Sequence, residues 1–421
     1  MSHPRLVEGE VRVIGHRWSP CVHEIKEFLA RSGVPFRWLE VESDGAAVGA
    51  AERARPAFTR FPVVLFRDGS VLEEPDVRAV AQKLGLETRP EGREYDLVVV
   101  GAGPAGLTAS IHGASEGLRT VVVEQEVPGG QAGHSALVEN YPGFPRGLSG
   151  SDLARRTLEQ AERFGVEIVV TRRATRLRAD GGRCRVVTLD DGTELAAHAV
   201  LLAIGATFRW LDAPGARPLV GARVYYGAAT AEASACRAQE VYVLGGGNSA
   251  GQAALVLARH ARRVTLVALE DSLAETMSAY LVERLGRVRN VAVRTRHTVA
   301  AVEGNGRLER LTLKHVKTGE TERVPADTLF VFIGAAPRTE WLAEAVVRDG
   351  DGFILCGPEG VRGSRVRTGW PLEREPYEME TCTPGVFVAG DVRRGSVKRI
   401  ASAVGEGARA VQSIHRYLRD R

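Results

Sequence analysis

The sequence predicts an α/β protein built on parallel sheets flanked by helices. Three observations carry this. The runs "YDLVVV" and "EVYVL" are apolar and rich in β-branched residues without polar alternation, as in strands buried on both faces. Each run empties into a glycine turn, then a helical stretch, then a second strand. This plan occurs twice, from Tyr95 and again from Glu240, an internal duplication of one supersecondary unit.

A chain of 421 residues is enough for two or three domains, each with its own core. The 56 basic residues are interspersed with 52 acidic ones, and no basic block with interleaved aromatics occurs, which argues against a nucleic-acid surface. No apolar run approaches the ~18 residues of a membrane span, and "MSHPRLVEGE" has no signal-peptide core. A cytoplasmic protein is expected. Five cysteines (Cys21, Cys184, Cys236, Cys356, Cys382) are scattered without a CxxC, so neither a disulfide framework nor a metal site is expected.

Taken in order, the first segment reads as strand "VRVIGH", helix "CVHEIKEFLARSG", strand "FRWLEVE", hairpin "FPVVLFRDGS" and helix "DVRAVAQKLG". Val22, Ile25, Phe28 and Leu29 give the first helix its apolar face. The polar tail with Gly and Pro reads as a linker, 89–94. In "GAGPAG", Gly101 permits the tight turn out of the strand. Gly103 lets the backbone approach a pyrophosphate, and Gly106 lets the helix pack on the strand. The helix N-terminus that follows, with Pro104 and Ala105, offers free N–H groups to phosphates. Glu124 ends the second strand, where it can accept from ribose hydroxyls. The second turn, "GGGNSA", has Gly245 and Gly247 in the corresponding places, then Asn248 and Ser249, with Ala250 third.

These motifs, with "PGGQ", "VENYPGFP", "PGVFVAGDV" and "ASAVGEGARA" in the same order, make residues 95–421 resemble the low-molecular-weight thioredoxin reductase family. The resemblance implies FAD on the first unit and NAD(P)H on the second, with hydride passing to the flavin N5, and a homodimer. It also implies that the second Rossmann-like domain is inserted in the first, through "LLAIGAT" (with Ala203 and Gly205) and "FVFIGAAPRT". The FAD domain then comprises 95–209 and 334–421, around an NAD(P) domain at 210–333. By position, Gly130, Gln131 and Asn140 should line the flavin and Asp391 should hold its ribityl chain. Lys398, Arg399 and Ile400 should lie beside the pyrimidine end, where basic groups and a helix N-terminus favour anionic reduced flavin.

The chain departs from the family in three places. The redox CxxC followed by an acid falls on "AATAE", so Ala228 and Ala231 replace both cysteines and no thiolate is available there. Cys236, five residues beyond, cannot close a dithiol alone. NADPH-using relatives have His-Arg-Arg at the end of the second strand, where this chain has Ala268, Leu269 and Glu270. A carboxylate repels a 2′-phosphate and accepts from a 2′-hydroxyl, which favours NADH, unless Arg287 or Arg289 reaches in. Third, "CGPEGVRGSRVRTGWPLEREPYEMET" is longer and reads as a surface loop whose Trp370 and arginines either cover the flavin, dock a partner, or are merely solvated.

Residues 1–88 resemble a glutaredoxin-like thioredoxin fold, on "GVPFRWLEVE" and "RFPVVLFRDGS", with Pro62 where that family has its cis-proline. The redox positions fall on "SPCV", with Ser19 and Val22 in the cysteine places and Cys21 between them. A redox-silent docking or dimerisation domain is expected; a glutathione transferase-like use of Ser19 as a donor to a thiol, or a mixed disulfide at Cys21, is the alternative. The function implied is FAD-dependent NAD(P)H oxidation without an internal disulfide, towards a small-molecule or protein acceptor. Ferredoxin/flavodoxin–NAD(P) reductase is one alternative. A non-catalytic sensor signalling through the N-terminal domain is another.

Overall fold

The structure is a computed structural model and describes residues 10–17, 19–42, 60–135, 138–179, 184–227, 229–362 and 370–420. The chain forms two compact units, Met1–Val80 with Phe208–Gly334, and Ala81–Thr207 with Ala335–Arg421.

In the first unit, the N-terminal segment folds into a four-stranded sheet ordered Phe36–Glu40, Val11–Gly15, Val63–Leu65, Val71–Glu73. The first pair is parallel and the others antiparallel. Helix Pro20–Arg31 begins at the cap Ser19 and buries Val22, Ile25, Phe28 and Leu29, the apolar set visible in the sequence. The Phe61–Pro62 peptide is cis. The same unit holds a parallel five-stranded sheet in the order Val224–Tyr226, Thr328–Val331, Glu240–Leu244, Arg263–Val267, Val291–Arg294. Helix Asn248–Leu257 follows the second glycine turn. An antiparallel ribbon of His297–Glu303, Arg310–His315 and Thr321–Pro325 completes the unit.

The second unit is built on a seven-stranded sheet. Strands Glu167–Val169, Thr120–Val123, Glu94–Val100 and Glu194–Leu202 run parallel side by side, with Val386–Val388 also parallel to Glu194–Leu202. Both faces are covered: Val98, Val100 and Val121 enter one core, and Leu97, Val99 and Val122 the other. This is why "YDLVVV" needs no polar alternation. The chain builds outward from Glu94–Val100 in one direction and later returns to its other side. The resulting switch point opens a crevice at the strand's C-terminal end, beside Gly101.

The stretch read as a linker is tied down. Glu91 N donates to Glu167 Oε1 (2.5 Å) and Gly92 N to the Tyr95 hydroxyl (2.9 Å), while just before it Val170 N donates to Glu87 O (2.9 Å) and Arg172 Nε to Thr88 O (2.6 Å). Gly and Pro here supply turn geometry rather than slack, because backbone polar groups against a folded surface must find partners.

Candidate functional site

The crevice of the second unit is shaped by its three glycines. At Gly101 (φ 104°) a Cβ would lie 2.5 Å from the Ala203 carbonyl oxygen, so the strand end and Ala203 approach with no room for a side chain. At Gly106 a Cβ would lie 1.9 Å from the Gly101 carbonyl oxygen, which closes the helix onto the strand; Ala105 beside it is buried. Gly103 is different: a Cβ there meets no protein atom within 4 Å. Gly103 caps helix Pro104–Ser115 with extended backbone (φ −74°, ψ −178°) and no side-chain cap, so the first-turn N–H groups of that helix are left without intrahelical partners. Gly130 lies close by, its Cβ position 3.1 Å from the Gly103 Cα.

Glu124 is buried, and Oε2 accepts from Ala102 N at 2.7 Å while Oε1 accepts from Glu126 N at 2.9 Å. A cavity of about 360 Å³ opens beside it, lined by Gly101, Glu124, Arg172, Thr175, Arg338 and Trp341. Sequence reasoning missed Arg172, Arg338 and Trp341. Arg338 lies inside the quoted crossover "GAAPRT", but nothing local marks it as a cavity residue; its Nε donates to Thr207 Oγ1 at 3.1 Å.

A second cavity, about 190 Å³, joins three sequence motifs: Ala132 after "PGGQ", Tyr141 of "ENYPG" and Ile400, against Pro104 and Leu153. The wall residue is Tyr141, whereas Asn140 is exposed in its turn. Gln131 is half-buried in the short helix Gly130–His134, and Gly205 is a left-handed turn residue (φ 62°). Asp391 is half-buried; burial pushes its carboxyl up, Lys398 pulls it back and Glu406 adds to the rise. The Lys398 ammonium sits 4.0 Å from the Phe353 ring centroid, a cation–π contact rather than a purely solvated charge. Arg399 is the exposed cap of helix Ile400–Arg419.

The other unit repeats the plan with changes. Gly245 (φ 141°) leaves no space, since a Cβ would be 2.3 Å from the Phe332 carbonyl oxygen, while Gly247 again faces open space. Ala250 is buried at the third position, where a methyl group is accommodated, and Ser249 is exposed. Asn248 Oδ1 is taken up structurally, accepting from Ser278 N at 2.7 Å. At the strand end Ala268 is buried and Leu269 is 53% exposed. Glu270 folds back over Gly246, where a Cβ would fall 2.2 Å from Oε2. That oxygen is buried and has no hydrogen-bond partner among the described residues.

Arg287, the exposed C-cap of helix Ala279–Gly286, pairs with Glu283 in that helix's last turns; Arg289 is exposed. The cations at the strand end are Arg296 and Lys317, both held by Asp271 (3.0 and 2.8 Å). They come from a later loop and turn, so only the fold reveals them.

A family model for pyridine nucleotide-disulphide oxidoreductases matches residues 95–407. The chain belongs to that family. It is an oxidoreductase, and membership implies FAD and NAD(P)H as cofactors. It is 34% identical over 326 residues to the thioredoxin reductase of Treponema pallidum, covering 77% of this chain and 97% of that relative. It is 35% identical over 339 residues to the bifunctional thioredoxin reductase/thioredoxin of Mycobacterium leprae, covering 79% of this chain and 68% of that one. Among solved structures, Lactococcus lactis thioredoxin reductase aligns with a TM-score of 0.69 at 29% identity, over 78% of this chain and all of that one.

The residues present fit the family's cofactors. Gly103 and Gly247 each leave an open cradle at a helix N-terminus that a side chain would fill, and the orphan oxygen of Glu270 lacks a donor. Ala228 lies outside the described residues, and Ala231 falls in the short helix Ala229–Glu232. Cys236 is buried, and burial above all, with the nearby Glu232 charge, pushes its thiol up to about 12. Cys21 is exposed at the start of its helix.

No helix among the described residues is long and apolar enough to cross a membrane.

Proposed function

We propose that this chain is an FAD-dependent NADH oxidoreductase that delivers electrons directly to an external acceptor, with no internal disulfide between flavin and acceptor. One contrast carries the reading: both nucleotide cradles are intact, while the two redox positions are Ala228 and Ala231. The one nearby thiol, Cys236, is buried with its pKa pushed to about 12, so it supplies almost no thiolate at neutral pH. When bound, the flavin accepts hydride from the nicotinamide and passes electrons on. The chain's own groups do the rest. Gly103 and Gly247 clear the approach to the pyrophosphates, and the helix N-termini behind them supply N–H donors. Lys398 brings positive charge towards Asp391, whose carboxyl is raised mainly by burial.

The NADH preference rests on Glu270. A buried carboxylate oxygen without a partner is costly unless a ligand donates to it. A ribose 2′-hydroxyl can donate; a 2′-phosphate cannot and would be repelled. The N-terminal segment is read as a thioredoxin-like domain without redox function. Its sheet order and Ser19 at the helix cap support that reading.

Anaerobic rapid mixing with NADH and with NADPH tests the proposal. Fast bleaching of the flavin by NADH, followed by reoxidation by a single-electron carrier or a quinone but not by thioredoxin, is the expected result. Robust thioredoxin turnover would refute the dithiol-free reading. Nucleotide binding without bleaching would support a sensor instead.

A further inference from the structure

The helix Pro20–Arg31 and the segment Val224–Cys236 lie in the same compact unit and meet through specific polar contacts. His23 Nδ1 is 2.9 Å from Glu232 Oε1, and Lys26 Nζ is 3.5 Å from the same oxygen. The His23 ring packs against Tyr225 with centroids 5.0 Å apart. Pro20 closes the contact at the helix start, its Cα 3.0 Å from where a Cβ on Gly221 would stand. His23 and Lys26 are one helical turn apart and do not belong to the buried apolar set, so one helix serves two packing surfaces.

Glu232 is what makes this contact more than incidental. It is the acid immediately after the two alanines that stand in the family's redox positions. Its side chain is only 6% exposed, and among the described residues the basic side chains within ion-pair distance are His23 and Lys26. Burial alone would push its carboxyl up, but the His23 hydrogen bond and the Lys26 charge outweigh that and hold it low. With the helix in place, His23 and Lys26 are the side chains that offset the burial of this carboxylate beside Tyr225 and Cys236.

We propose that the former redox turn Ala229–Cys236 is a docking surface for the chain's own N-terminal helix, anchored by Glu232 on His23 and Lys26. The chain's own small domain is then the resident occupant of the face where a dithiol would have operated. This inference concerns domain docking alone and does not depend on which acceptor the flavin serves.

Hydrogen–deuterium exchange on the full-length, FAD-loaded chain tests it by charge reversal. Glu232→Lys, and separately His23→Glu with Lys26→Glu, should each speed exchange in 20–31 and 224–236 by about tenfold or more, as for a lost charge-assisted contact. Combining all three substitutions re-forms the pair with reversed sign and should restore most of the protection. Unchanged exchange in Glu232→Lys, or no recovery in the combined variant, overturns the proposal. If the reversed chains do not fold, the isosteric Glu232→Gln decides by the same measurement, because it keeps the shape of the side chain and removes the charge that His23 and Lys26 face. Faster exchange in both 20–31 and 224–236 supports docking, and exchange unchanged in both refutes it.

Discussion

The two glycine turns descend from one plan, yet their terminal acids are held in opposite ways. Glu124 is saturated by the protein: its two oxygens accept from Ala102 N and Glu126 N. The matching place is held by Ala268, and Glu270, two residues further on, has its Oε2 buried over Gly246 with no donor among the described residues. The first acid therefore braces the turn whether or not a ligand is present. The second is left incomplete, and a ligand hydroxyl is the group that would complete it. The third motif position tells the same story: Gly106 admits no methyl group against the Gly101 carbonyl, while Ala250 is tolerated. At that position the first turn is the tighter cradle, and the second has a buried side-chain oxygen without a partner among the described residues.

The largest effects should come from filling the cradles. Gly103→Leu should yield colourless protein, because the side chain enters the pyrophosphate space. Since a Cβ there meets no protein atom within 4 Å, the chain should still fold. Gly247→Leu should remain yellow and lose reduction by either nucleotide. Absorbance spectra and anaerobic bleaching read both outcomes; a normal flavin spectrum in Gly103→Leu would sink the cofactor assignment.

Next in size is nucleotide choice. Leu269→Arg with Glu270→Arg should shift preference towards NADPH by about 10- to 100-fold, the worth of one charge-assisted phosphate contact of roughly 1.5–3 kcal/mol. Asp271→Asn should move the ratio the same way by less, because it frees Arg296 and Lys317 from their shared carboxylate. The ratio of flavin-reduction efficiencies is the measurement. A wild-type ratio favouring NADPH would show that these two cations already bind the phosphate.

Glu232 is a third buried acid, completed by side chains of the N-terminal helix rather than by backbone or ligand. Its carboxyl is held below the ordinary 4.5 by His23 and Lys26 despite burial. The stability it contributes is therefore fully present above pH 4.5 and is lost as pH falls through the lower folded value. His23, Lys26, Tyr225, Cys236 and Arg223 are the titratable groups around it and its ring neighbour. Glu232→Gln should cost about 1.5–3 kcal/mol near neutral pH and flatten the acid limb of the melting curve.

Local chemistry explains how much of this the sequence reveals. Period and glycine spacing are short-range signals, so the strands, the turns and the buried face of Pro20–Arg31 can be read directly. Contacts between distant segments leave no such trace. His23 meets Glu232 across 209 positions, and Lys317 meets Asp271 across 46. The longer segment before the last motif shows the same limit. It reads as loop, yet Gly357–Arg362 is helical and Trp370 is bound into a cluster in which Arg374 forms a bidentate pair with the fully buried Glu380. Composition alone does not show that anchor. The residues between Arg362 and Trp370 lie outside the described ones.

The smallest effects should divide the two terminal acids most sharply. Glu124→Gln places an amide NH₂ against one of two backbone N–H donors, Ala102 N or Glu126 N, whichever way the amide is turned. One buried donor then goes unsatisfied, at a cost of about 1–3 kcal/mol. Glu270→Gln loses no protein hydrogen bond at Oε2 and relieves a buried charged oxygen, so its stability should stay within about 0.5 kcal/mol of wild type. Its effect should appear instead in the nucleotide ratio, where removing the negative charge narrows the gap between NADH and NADPH. Thermal melting of the two variants at matched FAD content separates these outcomes. Equal losses of stability would mean that Glu270 braces its turn as Glu124 does, and the contrast between the two cradles would fall.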